Sequence, residues 1–161
     1  MNGHPRSIPP DGRHRYELRV YYEDTDAGGV VYHANYLRFA ERARTESLRD
    51  LGIPHAELLR EHGVMFMVRR VEVDYLRPAR LDESLAVLTE PLAVGGASVL
   101  LRQDVQGPQG SCALLTVRLA CVKRDGRPGR LPRRWRTVLT AMCNAARAPD
   151  RSPGHAEQDM E

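Results

Sequence analysis

The sequence predicts an α+β fold in which a five-stranded antiparallel sheet packs against one long helix. Two observations carry this. An alternating run ends near residue 22 and gives way to a helical period from residue 36, and four further extended runs follow, joined mostly by short turns. Strands that succeed one another through short turns pair antiparallel, because a parallel pair needs a long crossover. At 161 residues the chain suits one domain with a core.

Residues 1–14 are polar and proline-containing, and read as a mobile lead-in. Tyr16, Leu18, Val20 and Tyr22 alternate with Glu17, Arg19 and Tyr21, which predicts a first strand from about Tyr16 to Tyr22 with one face packed. Tyr36, Phe39, Ala40, Ala43, Leu48 and Leu51 share one face of a helix expected from about Asn35 to Leu51, with Gly52 and Pro54 as its stop. Arg38, Arg42, Glu46 and Arg49 fall on its solvated side. Residues 55–63 read as a short helical turn or loop. Strands are then expected over Val64–Leu76, ended by Pro78, and over Ser84–Leu92, Ala97–Gln106 and Ser111–Lys123, with turns at Gly95-Gly96 and Gly107-Pro108-Gln109-Gly110. Val99, Leu101 and Val105 share a face, as do Ala113, Leu115, Val117, Leu119 and Cys121.

After Lys123 the composition turns basic. Arg124, Arg127, Arg130, Arg133, Arg134 and Arg136 alternate with Pro128, Pro132 and Trp135, which reads as an extension over 125–147 with a short helix from about Arg133 to Arg147. A solvated surface is its ordinary meaning, and weak contact with an acidic partner or a membrane surface is the other. Residues 148–161 have the composition of a disordered tail.

The apolar fraction is 42% and the charged fraction 28%, as in soluble globular proteins. A net charge of +3 is too small to argue for nucleic acid. Lys123 is the only lysine among 24 basic residues, and arginine suits forked binding of phosphate. No apolar run approaches the ~20 residues that span a bilayer, and the first residues lack the apolar core of a secretory signal, so the expected location is cytoplasmic. Cys112, Cys121 and Cys143 lack metal-ligand spacing and read as reduced packing residues. No metal and no cofactor is expected.

The chemistry-bearing stretch joins the first strand to the helix: Tyr22-Glu23-Asp24-Thr25-Asp26-Ala27-Gly28-Gly29-Val30-Val31-Tyr32-His33-Ala34-Asn35-Tyr36. Asp26 sits in a polar, turn-prone cluster. Gly28-Gly29 let a ligand approach the backbone, and the helix beginning near His33 to Asn35 offers unpaired N–H groups. A carboxylate across a glycine turn from such donors suits attack on a polarised carbonyl. Two other readings compete. Asp24, Thr25 and Asp26 can form a plain hydrogen-bonded turn, and a calcium loop fits badly because the twelfth position from Asp24 is Asn35 and not a bidentate Glu.

The segment RVYYEDTDAGGVVYHANYLRFAERARTESLRDLG, Arg19 to Gly52, resembles the 4-hydroxybenzoyl-CoA thioesterase family of hotdog-fold enzymes, and within it the Tol-Pal-associated acyl-CoA thioesterases. The likeness continues through VEVDYLRPARLD, Val71 to Asp82, and covers most of residues 15–124. It implies a sheet wrapped around the helix, and acyl-CoA hydrolysis with Asp26 as nucleophile or general base. The backbone N–H at His33 would polarise the carbonyl, and the ring of His33 would contact substrate or water. Gly28, Gly29, Val30, Tyr32 and Asn35 are assigned to substrate binding, with Met65 and Phe66 as part of an apolar pocket, though core packing also explains those two. The resemblance further implies a homodimer or homotetramer with the acyl site at the seam. Glu41, eight residues along the helix from His33, lies about 12 Å away, too far to serve the same carbonyl within one chain. Which arginines hold the coenzyme is left open by the sequence, and Arg102 is only one of the candidates. A non-catalytic acyl-thioester-binding module and an acyl-carrier dehydratase or hydratase are the rival functions.

Overall fold

The computed structural model describes residues 8–148. Its elements are β1 (His14–Arg19), α1 (Asn35–Asp50), α2 (His55–His62), β2 (Val64–Tyr75), β3 (Ser84–Val94), β4 (Ser98–Gly107), β5 (Gly110–Lys123) and α3 (Arg133–Arg147). A single 3-10 turn occupies Tyr22–Asp24. The tail expected over 148–161 lies beyond the described residues from 149 onward, as do residues 1–7 of the lead-in.

The five strands form one sheet in the order β1-β3-β4-β5-β2, antiparallel at every pairing. β3, β4 and β5 follow one another as hairpins, as their turns require. β1 and β2, adjacent in sequence, take opposite edges of the sheet. The segment between them must therefore cross it, and α1 does so with Tyr36, Phe39, Ala40, Ala43 and Leu48 buried. Against them lie Val99, Leu101 and Val105 of β4 and Ala113, Leu115, Val117, Leu119 and Cys121 of β5, all buried. The alternation seen in the sequence is the alternation of the inner face.

Most boundaries shift by a residue or two; β1 begins at His14, buried and paired with Thr89, so the expected mobile lead-in does not reach residue 14, and three further differences have a local reason. β1 ends at Arg19, and Tyr22 is 83% exposed instead of packed. The chain turns there because the Asp24 carboxylate accepts the Tyr21 N–H at 2.8 Å and the Thr25 hydroxyl donates to the Tyr22 carbonyl at 2.7 Å. β3 continues past Leu92 to Val94 by way of a bulge between Pro91 and Ala93, where proline cannot donate to the ladder. The bulged Leu92 carbonyl is taken up by the guanidinium of Arg147 at 2.7 Å. Residues 55–62 form a full helix, closed by Gly63 in the left-handed region.

Arg133–Arg147 is helical as expected, and α3 buries Trp135, Leu139, Met142 and Cys143. The Trp135 indole N–H donates to the Ile53 carbonyl at 3.1 Å, so this helix is keyed to the loop after α1. The arginines of the segment stay outside. All three cysteines are buried and unpaired, and burial raises the thiol pKa of Cys112 and Cys121.

Candidate active site

Residues 24–32 form a narrow hairpin between β1 and α1. Thr25 bridges Val31. The Asp26 N–H donates to the Val30 carbonyl at 2.8 Å and the Gly29 N–H to the Asp26 carbonyl at 3.0 Å. Gly29 has φ +77°. This is a three-residue hairpin loop whose closing residue must be left-handed, which is why glycine stands there. Gly28 serves differently. Its N–H donates to Oδ1 of Asp26 at 2.8 Å, and a Cβ at this position would lie 3.2 Å from that same oxygen. The turn reading of Asp26 holds and does not preclude the catalytic one: one carboxylate oxygen is tied to the loop, and the side chain remains exposed.

The helix start is pinned to this hairpin from three sides. Asn35, buried, donates from Nδ2 to the Asp24 carbonyl at 2.9 Å, and the Tyr32 N–H donates to the same oxygen at 2.9 Å. The Tyr75 hydroxyl, at the end of β2, donates to the His33 carbonyl at 2.9 Å. The Tyr36 hydroxyl accepts the Ala79 N–H at 3.1 Å while the Ala79 carbonyl accepts the Val31 N–H at 2.9 Å. Burial raises the phenol pKa of Tyr36, which keeps this hydroxyl protonated. Among the described residues the N–H groups of His33 and Ala34 find no acceptor. They are the free donors of a helix N-terminus, which follows directly on the hairpin that carries the exposed Asp26 carboxylate.

The nine residues singled out in the sequence do not all meet. Asp26, Gly28, Gly29, Val30, Tyr32, His33 and Asn35 belong to the hairpin and the helix start. Tyr32 and His33 are exposed with ring centroids 4.5 Å apart. Val30 bridges Arg80, and Asn35 spends its amide inside the fold. Met65 and Phe66 lie at the far end of β2. Being neighbours on a strand they point to opposite faces, and only Phe66 lines the cavity beneath α1. Sequence reasoning missed Tyr75 and Ala79, whose roles depend on the crossing of residues 76–83 past the hairpin. The exposed apolar residues Tyr32, Leu37, Val68, Tyr75 and Leu76 lie just before and at the start of α1, and along and just past β2.

A sheet wrapped on one helix, with a carboxylate hairpin at the helix start, defines the hotdog thioesterase class. Residues 20–153 match the model of the thioesterase-like superfamily, and the chain belongs to that family. It is 47% identical over 112 residues to the acyl-CoA thioesterase YbgC of Haemophilus influenzae, covering 70% of this chain and 82% of that one. It is 50% identical over 91 residues to the acyl-CoA thioester hydrolase YbgC of Escherichia coli, covering 56% and 67%. The crystal structure of a probable thioesterase from Bartonella henselae superposes with a TM-score of 0.72 at 36% identity, over 74% of this chain and 99% of that one.

Proposed function

We propose that this protein hydrolyses acyl-CoA thioesters to free acid and coenzyme A, with Asp26 as the attacking group and the helix start as the oxyanion site. The observation that carries the reading is the exposed Asp26 carboxylate on a hairpin fastened to a helix N-terminus whose His33 and Ala34 N–H groups are unpaired. A thioester needs little help at its leaving side, because a thiol of pKa about 8.5 departs readily. The demand falls on the attack. Asp26 either adds to the carbonyl carbon, expelling the thiolate and leaving a mixed anhydride for water to open, or takes a proton from the water that adds. In both routes the carbonyl oxygen gains charge, and the free His33 N–H is the donor that would stabilise it. The names of the YbgC relatives support the substrate class, and the residues of the hairpin support the Tol-Pal-associated branch.

The site is completed by a second copy in this reading. β2 is an edge strand with Val68 44% and Tyr75 50% exposed on its inner side. An unpaired edge of this length joins readily to its own twin, giving a homodimer that can pair again to a tetramer. The buried, unpaired cysteines suit a reducing compartment, and we place the enzyme in the cytoplasm. No helix among the described residues is long and apolar enough to cross a membrane. The exposed arginines from 124 to 136 are the face for weak contact with an acidic partner or membrane surface, testable by salt-dependent sedimentation with anionic vesicles.

The experiment is release of free thiol from a panel of short, long and aromatic acyl-CoAs, with the acid product identified by mass. Equal amounts of thiol and acid are expected. Unchanged acyl-CoA after prolonged incubation would mean a binding module, and enoyl or hydroxyacyl products a dehydratase or hydratase.

A further inference from the structure

A cavity of about 380 Å³ lies away from Asp26, between the second half of α1, the start of β2 and the face of α3. Its walls are largely apolar, with Phe66, Leu101, Leu119 and Met142 among them, yet the half-buried Arg44 lines it too. The guanidinium is aimed. Nη1 donates to Oε1 of Gln103 at 2.9 Å, and Gln103, wholly buried, is itself fixed by Nε2 bonds of 2.9 Å to the Ala40 carbonyl and the Thr89 hydroxyl. A guanidinium has five N–H donors, and Gln103 takes one direction only.

Among the described residues no carboxylate comes within ion-pair distance of Arg44. Glu41 stands exposed on the cavity lining and acts on the guanidinium only from farther off. Burial draws the pKa of Arg44 below the ordinary arginine value, as expected of a cation partly withdrawn from water with no carboxylate paired to it. A partly desolvated cation with donors to spare, in a chamber whose remaining polar lining is Glu41, Thr45, Ser47, His55 and Thr89, suits an apolar chain that ends in an anion.

The helix start that follows the Asp26 hairpin is tied to Tyr75 at one end of β2, and the cavity is lined by Phe66 and Val68 towards the other. Val68 and Tyr75 are seven strand steps apart, roughly 23 Å, so one chain does not bring the two together along β2. Antiparallel pairing of β2 with its twin reverses the order. The Tyr75 end of one copy then lies against the Phe66–Val68 end of the other, and the catalytic turn of one faces the chamber of its partner.

We infer that Arg44 is a specificity-determining residue for acyl groups ending in a carboxylate, and that its cavity holds the tail of a thioester cleaved at Asp26 of the second copy. This rests on the thioesterase reading and on the dimer. Matched pairs of equal length test it: succinyl- against butyryl-CoA, adipoyl- against hexanoyl-CoA, sebacoyl- against decanoyl-CoA. At one or more lengths the carboxylate-ended member is expected to have the higher kcat/KM. In Arg44→Met that ratio should fall roughly 10- to 100-fold, mostly through KM, the range for a charge-assisted bond to an ionised group. Arg44→Lys, which keeps the charge and the stem, should retain part of the preference and serves if the Met variant does not fold. Adipate should also inhibit the wild-type protein more strongly than hexanoate. A wild-type protein that hydrolyses the methyl-ended chain equally well or better at every length overturns this inference and leaves the thioesterase reading standing. Hydrolysis of neither member overturns both. A ratio unmoved in both variants, or a protein monomeric at assay concentration, also overturns it.

Discussion

Replacing Asp26 by Asn separates the charge of the carboxylate from its structural duty. Oδ1 of Asp26 accepts the Gly28 N–H at 2.8 Å, and the amide oxygen of asparagine can accept the same bond. The hairpin should survive. For an exposed turn the exchange of a charged for a neutral acceptor costs about 0.5 kcal/mol, and at about 2–4 °C per kcal/mol for a chain of this size the Tm should move by no more than about 2 °C. Alanine cannot accept the bond and should lose about 0.5–1.5 kcal/mol, or roughly 1–6 °C. Activity should behave otherwise. An asparagine can neither add to the carbonyl nor take a proton from water, so kcat should fall by about 10²–10⁴, which is about 2.7–5.5 kcal/mol of transition-state stabilisation. Thiol release at saturating acyl-CoA measures the first quantity and thermal unfolding the second. Turnover within about threefold of wild type, with the Tm preserved, would refute the role given to Asp26.

Four further outcomes follow from the geometry. Tyr75→Phe removes the 2.9 Å bond to the His33 carbonyl and should lower kcat/KM by about 3–10-fold for about 0.5–1.5 kcal/mol of stability; an unchanged kcat/KM would show that this tether is dispensable. Gly28→Ala places a Cβ 3.2 Å from Oδ1 of Asp26 and should reduce kcat by roughly tenfold with the fold intact, because the carboxylate must give way, as steady-state kinetics and circular dichroism together would reveal. Trp135→Ala empties a site 1% exposed and breaks the bond to the Ile53 carbonyl, so denaturant unfolding should show a loss of about 3–5 kcal/mol. Burial first, and the charge of Arg44 second, hold His55 below its ordinary pKa of 6.5. An unfolded His55 therefore binds its proton at higher pH than the folded one, and its contribution, fully present above pH 6.5, is lost as pH falls from there through the folded value. His55→Gln should flatten that part of the stability profile measured by unfolding at stepped pH.

Periodicity carried most of the fold. Val99, Leu101 and Val105, and the five alternating residues of β5, face α1 because a strand has a period of two and an antiparallel sheet covered on one face has little freedom to place them otherwise. What periodicity could not supply was the strand order. Nothing local says that β1 and β2 take opposite edges, yet that arrangement sends residues 76–83 past the hairpin and brings Ala79 and Tyr75 to the helix start. The hairpin itself was readable from its residue types, since Asp26, Gly28 and Gly29 prefer the conformations they adopt. Arg44 was not. On a helical wheel it is one more arginine, and only the approach of Gln103 from a strand 59 residues away shows that it points inward.

The most direct test of the account is a crystal structure of the protein with a non-hydrolysable acyl-CoA analogue in which a methylene precedes the sulfur. The analogue's carbonyl oxygen is predicted to lie about 2.7–3.1 Å from the His33 N–H, with the Asp26 carboxylate on the opposite side of the carbonyl carbon. An analogue bound with its carbonyl away from the start of α1, or with Asp26 turned to solvent, would contradict the account.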